Sequence, residues 1–146
     1  MPVELRDQPF EPLMVLAEHQ VRLNERHAGQ YGATAIFIGA MRDFNAGDTV
    51  QGMTLEHYPG MTERQLQRIV EAACQDWPVL DALVIHRVGA LQPQDPIVLV
   101  AVWSAHRAEA FAACRFIIEE LKSKAPFWKC EETTAGPRWV EHNTPG

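Results

Sequence analysis

The chain has 146 residues, 47% of them hydrophobic and 22% charged, the balance of a soluble globular protein large enough for one domain with its own core. No apolar run approaches the ~20 residues of a membrane span, and the N-terminus lacks a basic stretch followed by an apolar one, so neither an anchor nor a secretory signal is expected. A net charge of −6 excludes a broad nucleic-acid surface, so any anionic ligand must be held by a local cationic pocket.

Residues 1–10 read as an irregular or extended arm. From Glu11 to about Arg26 the apolar residues Leu13, Leu16, Ala17, Val21 and Leu23 predict a helix, ended by Ala28 and Gly29. The small and β-branched run from Gly32 to Arg42 predicts a buried strand that delivers Arg42 to a loop over 43–48. Val50 to Tyr58 reads as a second strand. Pro59 and Gly60 break the chain, and Thr62 to Gln65 has the spacing of a capping box opening a helix to about Asp76. Leu83 to Val88 and Ile97 to Trp103 read as strands, the second apolar throughout and therefore central. Ser104 is the expected N-cap of a long helix from about Ala105 to Lys124. Pro126 ends that helix. Phe127 to Glu132 then looks extended, and Arg138 to Val140 is placed to pair back onto it. Strand pairs separated by helices predict a single α+β domain over 1–146, a mainly antiparallel sheet with helices on one side, and a frayed tail over 141–146.

The chain has three lysines, Lys122, Lys124 and Lys129, and all lie within eight positions; every other basic side chain is arginine or histidine. Solvated lysines scatter, so this grouping calls for a reason. Lysine differs from arginine in that its pKa can be moved far enough for proton exchange. The helix dipole favours Lys122 and Lys124 at a helix C-terminus, but it does not account for Lys129. A second cationic group, His106 and Arg107, falls in the first turn of the same helix, where free N–H groups already favour an anion. Arg42 closes a strand ahead of a turn-rich loop, a common place for a binding residue. Lys129 beside Cys130 would favour a thiolate, yet the sequence places no histidine next to it. Cys74 and Cys114 lie in predicted helices and read as buried small hydrophobes, and His57 and His86 read as structural. Three cysteines without a CxxC pair give no disulfide framework and no zinc spacing, which fits a reducing cytoplasm. Two classes of function fit the cations: an enzyme that moves protons, or a scaffold that only binds a phosphorylated ligand or a partner's tail. Clustered lysine disfavours the scaffold, because arginine binds phosphate as well or better.

Five blocks of the chain resemble the MoaE family, the large catalytic subunits of molybdopterin synthase. They are Phe37 to Arg42 with Asn45 and Gly47, Leu55 to Met61, Ile85 to Gly89, Ser104 to Arg107, and Lys122 to Lys129. The last two, in this order and spacing, are the most specific. The chain departs from the family's pattern at Lys124, where arginine is usual, and at Cys130, where a basic residue is usual. The resemblance implies an α/β-hammerhead-like fold and a cytoplasmic sulfurtransferase of molybdenum cofactor biosynthesis. In that family a small ubiquitin-like subunit brings sulfur as a C-terminal thiocarboxylate. The sulfur goes to cyclic pyranopterin monophosphate and builds the dithiolene of molybdopterin. Large subunits form a homodimer with a small subunit at each end, a heterotetramer, and no metal or redox cofactor takes part.

Carried over by motif, Lys122 and Lys129 would be catalytic. Ala40, Met41, Arg42, His106 and Arg107 would bind substrate with them, and Cys130 and Glu131 would lie beside it. The narrow tail of the small subunit would run in a channel floored by Phe127 or Trp128. Like charges and partial burial should hold Lys122 below the ordinary lysine pKa.

Overall fold

The computed structural model describes residues 1–45 and 47–140. The tail expected over 141–146 lies outside them.

In chain order the elements are β1 (Val3–Arg6), α1 (Pro12–His27), β2 (Ala33–Ala40), β3 (Phe44–Asn45), β4 (Asp48–His57) and α2 (Met61–Asp76). Then follow β5 (Val79–Arg87), β6 (Gly89–Leu91), β7 (Pro96–Ser104), α3 (Arg107–Lys124), β8 (Phe127–Thr133) and β9 (Gly136–Trp139). The fold is α+β and mainly antiparallel, as expected, but it holds two sheets. One has the order β1-β5-β7-β2, with only the β1–β5 pair parallel. The other has the order β3-β4-β8-β9, with β6 on β4.

The central strands β5 and β7 are buried at nearly every position. A strand apolar on both faces needs cover on both, and this decides where the helices go. Ala82, Val84, Val98, Val100 and Val102 face α2 and α3. Leu83, Ile85, Leu99, Ala101 and Trp103 face the other way, onto Leu23 and Leu16 of α1. The helices are therefore not all on one side. The α1 face also carries a buried polar pair, His19 Nε2 to Asp81 Oδ2 at 2.7 Å.

Several elements differ from the sequence reading, each for a local reason. The N-terminal arm is a strand because β5 offers it a free edge, and the backbone accepts. The run from Ala33 to Ala40 is an edge strand, not a buried one: Ile36 and Ile38 are 45% and 38% exposed. The loop after Arg42 contains a short rung, Phe44–Asn45, paired with β4. Thr62 does not cap α2. Glu63 reaches back to the N–H of Gly60, while the Thr62 hydroxyl donates to the Pro126 carbonyl at 3.1 Å and ties α2 to the start of β8. Helix α3 begins at Arg107, because Ser104 is still in β7 and donates its hydroxyl to the His106 carbonyl at 2.6 Å.

Gly32 fixes the entry into β2. Its N–H donates to the Ser104 carbonyl at 3.0 Å, and a Cβ placed on it would stand 2.5 Å from the Ala105 carbonyl oxygen. Both neighbours are backbone, so neither can swing aside. Gly32→Ala should lower the unfolding free energy by ~1–3 kcal/mol, the scale of forced overpacking, measured by urea denaturation with an unchanged m-value.

Candidate active site

The C-terminal end of α3, the end of β2 and the strand β8 meet around one cavity of about 600 Å³, within the range of small-ligand sites. Arg42, Arg115, Glu119, Lys122, Lys129 and Glu131 supply its charge, and Phe37 and Met53 are among its apolar walls. A second cavity of about 220 Å³ shares Ala40, Lys122 and Lys129 with it and reaches His86 and Phe127. The two lysines thus stand at a junction between a wide chamber and a narrower one.

Each functional side chain has a structural reason to be there. Arg42 follows Met41, which is buried and held at both backbone ends: its N–H donates to the Asp95 carbonyl at 3.0 Å, and its carbonyl accepts from Gln94 N–H at 2.8 Å. Lys122 stands on the α3 stripe that also presents Phe111, Arg115 and Ile118 to the cavity, the spacing of one helix face. Lys129 and Glu131 alternate with Phe127 on one face of β8. Trp128 falls on the opposite face, where it is 44% exposed and packs on Tyr58 with ring centroids 5.5 Å apart. Cys130 also lies on that side of the strand, opposite Thr54 and Trp139. Of the two aromatics offered for a tail channel, Phe127 is the one that lines the lysine cavity. Lys124 points away and pairs with Glu120 at 2.6 Å, so this departure from the family pattern sits on the surface.

His106 and Arg107 are not part of this cavity. Both are exposed at the other end of α3, which runs unbroken from Arg107 to Lys124. From His106 to Lys122 is sixteen residues, or ~24 Å along a helix.

The electrostatics agree with the lysine chemistry. Burial pushes Lys129 down to about 8, Lys122 pushes the same way, and Glu131 opposes them. Lys122 is also held below the ordinary value, first by burial and then by Arg42, against Glu119. Burial also drives His86 down to about 3, despite a hydrogen bond to the Arg87 carbonyl, and Lys129 and Lys122 add to the shift. That carbonyl lies 2.7 Å from Nδ1 and can only accept, so Nδ1 carries the proton and the ring is neutral. The ring stacks on Phe127, with centroids 4.0 Å apart and planes at 15°.

Glu131 is buried, and Asn45 Nδ2 and Arg138 Nη2 donate to the same oxygen, Oε1, at 2.9 Å and 3.3 Å. Asn45, His86 and Glu119 were not expected at the site. Glu119 and Ile118 are legible as neighbours of Lys122 on one helix face, and His86 by alternation along β5. Asn45 is 86 residues from its partner, and no local pattern joins them. Among the described residues no group of three His, Cys, Asp or Glu side chains is placed to hold a metal ion. No described helix is long and apolar enough to cross a membrane.

The fold and site define a class: an α+β protein with a chamber lined by arginine and by two lysines held below the ordinary lysine pKa. The MoaE protein family matches residues 7–124. The chain is 64% identical over 112 residues to the molybdopterin synthase catalytic subunit of Ralstonia nicotianae, covering 77% of this chain and 64% of that protein. It is 50% identical over 139 residues to the same subunit of Haemophilus influenzae, covering 95% and 89%. Among solved structures, the molybdopterin biosynthesis MoaE protein of Burkholderia ambifaria superposes with a TM-score of 0.79 at 41% identity, covering 99% of this chain and 91% of that one. A protein–protein complex of subunits 1 and 2 of the molybdopterin-converting factor of Helicobacter pylori has a chain sharing the fold, with a TM-score of 0.79 at 17% identity over 97% and 92%. The chain belongs to the MoaE family, the catalytic subunits of molybdopterin synthase.

His86 gives this site a stability signature. A ring with a pKa of about 3 folded and ~6.5 unfolded binds fewer protons in the native state across that interval. Its contribution is complete above pH ~6.5 and lost as pH falls to about 3, at up to ~1.4 kcal/mol per pH unit. His86→Phe keeps the stacking and removes the titration. Its unfolding free energy, followed by denaturant melts between pH 4 and 6, should fall less steeply with acid than that of the wild type.

Proposed function

We propose that the cavity at Lys122 and Lys129 is where sulfur passes from the C-terminal thiocarboxylate of a small ubiquitin-like subunit to cyclic pyranopterin monophosphate. The observation that carries this reading is the pair of half-buried lysines, both held below the ordinary lysine pKa, at the junction of a wide chamber and a narrow one. The wide chamber takes the pterin, and the narrow one, beside Phe127, takes the extended tail. Family membership and the Helicobacter pylori complex support the small-subunit partner.

The thiocarboxylate sulfur attacks a carbon of the pterin side chain and forms a C–S bond, and the displaced oxygen leaves after taking a proton. Water then cleaves the acyl–sulfur bond, so the small subunit departs as a carboxylate and the sulfur stays on the pterin. Two such rounds give the dithiolene. Each round needs one group to supply a proton and one to accept it. Lys129, with a pKa of about 8, is populated in both forms near neutral pH, and protonated Lys122 attracts the anionic tail. Arg42 is placed for the substrate's phosphate, with Ala40 and Met41 framing it. No electrons are exchanged in these steps, so they call for no redox group, and sulfur donor and pterin suffice without a metal. The work is assigned to the cytoplasm, where small thiocarboxylates and reduced pterins persist.

His106 and Arg107 belong to the same chemistry but stand ~24 Å from Lys122, while a pterin monophosphate is only about 10 Å long, at ~1.5 Å per bond. A homodimer resolves this. Strand β2 is an edge strand with Ile36 and Ile38 exposed, and Phe111 beside it is 67% exposed. Its start lies by the N-terminus of α3, where Ala33 pairs with Ser104, and its end lies by Lys122. A two-fold axis across this edge exchanges the ends, so His106 and Arg107 of one copy come to the Lys122 chamber of the other. With one small subunit per chamber the assembly is a heterotetramer.

The test is an assay for molybdopterin after mixing the protein with thiocarboxylated small subunit and the cyclic pterin. Wild type should form product, and His106→Ala and Lys122→Ala should each be nearly inactive. Co-refolded in equal amounts, the two variants should recover about a quarter of wild-type activity. Half the dimers are mixed, and each of those holds one intact site. No product from wild type overturns the function. A mixture no better than its components overturns the shared site.

A further inference from the structure

Arg138 does not line the cavity, yet a chain of polar contacts runs from it to the cavity residues Asn45 and Glu131. It stands on β9, the edge strand. Its Nη1 donates to Asp48 Oδ2 at 2.6 Å, and its Nη2 donates to the Asn45 carbonyl at 3.0 Å and to Glu131 Oε1 at 3.3 Å. Asn45 completes the ring by donating its side-chain amide to the same Oε1. One guanidinium thus joins the β3–β4 hairpin to β8 and β9, and both donors to Glu131 grip one oxygen. The other oxygen, Oε2, takes no part in that grip.

We propose that Arg138 is a positioning residue for the sulfur-transfer site: it holds Glu131 by one carboxylate oxygen, keeps that carboxylate beside Lys129, and offsets part of its charge. This deepens the reading of the cavity given above and rests on it. The logic is a charge balance. The cavities that Lys129 lines are also lined by Lys122, Glu119 and Arg115 from α3, Arg42 just past β2, His86 from β5 and Glu131 from its own strand; Lys122 lowers the Lys129 pKa and Glu131 raises it. An unshared carboxylate two residues away would draw the proton firmly onto Lys129 and make it a permanent cation. A missing carboxylate would remove the charge that opposes burial and Lys122 at Lys129. A carboxylate shared with Arg138 lies between these limits, which is the condition for a lysine that both holds and releases a proton near neutral pH. The same grip ties the hairpin that follows Arg42 to the strand that carries Lys129, so the two cations keep their spacing.

The test reads Lys129 itself, in the full-length protein with 15N-labelled lysines and no substrate, so its failure is separate from any failure of the sulfur-transfer reading. Arg138→Met should raise the Lys129 titration midpoint from about 8 by about one pH unit, the scale of a nearby opposite charge left unshared. Arg138→Lys, which keeps the charge, should restore most of the wild-type midpoint. In a Glu131→Gln background the Arg138→Met step should move Lys129 little, because the carboxylate that relays the effect is gone. Should Arg138→Met fail to fold, Arg138→Gln keeps a donor for Asp48 and should show the same upward shift. A folded Arg138 variant with Lys129 still at about 8 makes Arg138 a brace without electrostatic effect and overturns the proposal. A shift of equal size in the Glu131→Gln background overturns the relay through Glu131.

Discussion

Two lysine side chains brought out of water beside each other are unfavourable while both are charged, and the site is built around that cost. Burial disfavours each ammonium, and each ammonium disfavours the other. Carboxylates act against the shift: Glu119, on the exposed flank of the same helix, at Lys122, and Glu131, itself engaged by Asn45 and Arg138, at Lys129. His86 adds no charge, since its Nδ1 proton is committed to a backbone carbonyl and its ring is buried. The cost of charging both lysines is what a bound anion would lower. It also gives a physical reason for lysine rather than arginine at these two positions, since a guanidinium would keep its proton in the same surroundings.

The architecture serves this arrangement. Both central strands are apolar on both faces, so helices cover the first sheet front and back and make it a rigid base. The second sheet hangs from it through β4 and β8, and the cavity lies at the seam. Rigid elements therefore hold five of the six charged groups: α3 carries Arg115, Glu119 and Lys122, and β8 carries Lys129 and Glu131. Arg42 lies just past a strand end, where the turn over 92–95 clamps the backbone of Met41. Placement on helices and strands keeps such groups to a narrow range of positions.

Much of this was legible from residues alone, and what was not has identifiable causes. The continuous apolar run of β7 marks a central strand in any context, and the crowding of the lysines within residues 122–129 points to the stretch from which Lys122 and Lys129 line the cavity. The edge position of β2 was hidden, because small and β-branched residues suit a central strand and an edge strand equally. The cap of α2 was misplaced by two residues, because a glycine amide met by Glu63 leaves a weaker sequence trace than a threonine three residues before a glutamine. Strand β1 and the short rungs β3 and β6 exist only because a partner edge is offered to them, and no local propensity announces that. The ring of Asn45, Glu131, Arg138 and Asp48 joins residues up to 93 positions apart, so it belongs to tertiary structure entirely. The opposite orientations of Phe127 and Trp128 follow from strand alternation once β8 is known to be regular through both.

The central claim is that the fold, before any ligand arrives, holds both lysines below the ordinary lysine pKa, with Lys129 low enough to exchange a proton near neutral pH. Direct titration of 15N-labelled lysines in the wild-type protein tests it, because Lys124, exposed and paired on the surface, serves as an internal contrast. Lys129 should titrate near 8, with Lys122 also below the ordinary value of 10.5. If Lys122 and Lys129 both titrate at the ordinary value, the chamber is only a cationic binding surface and the proton-exchange account is wrong.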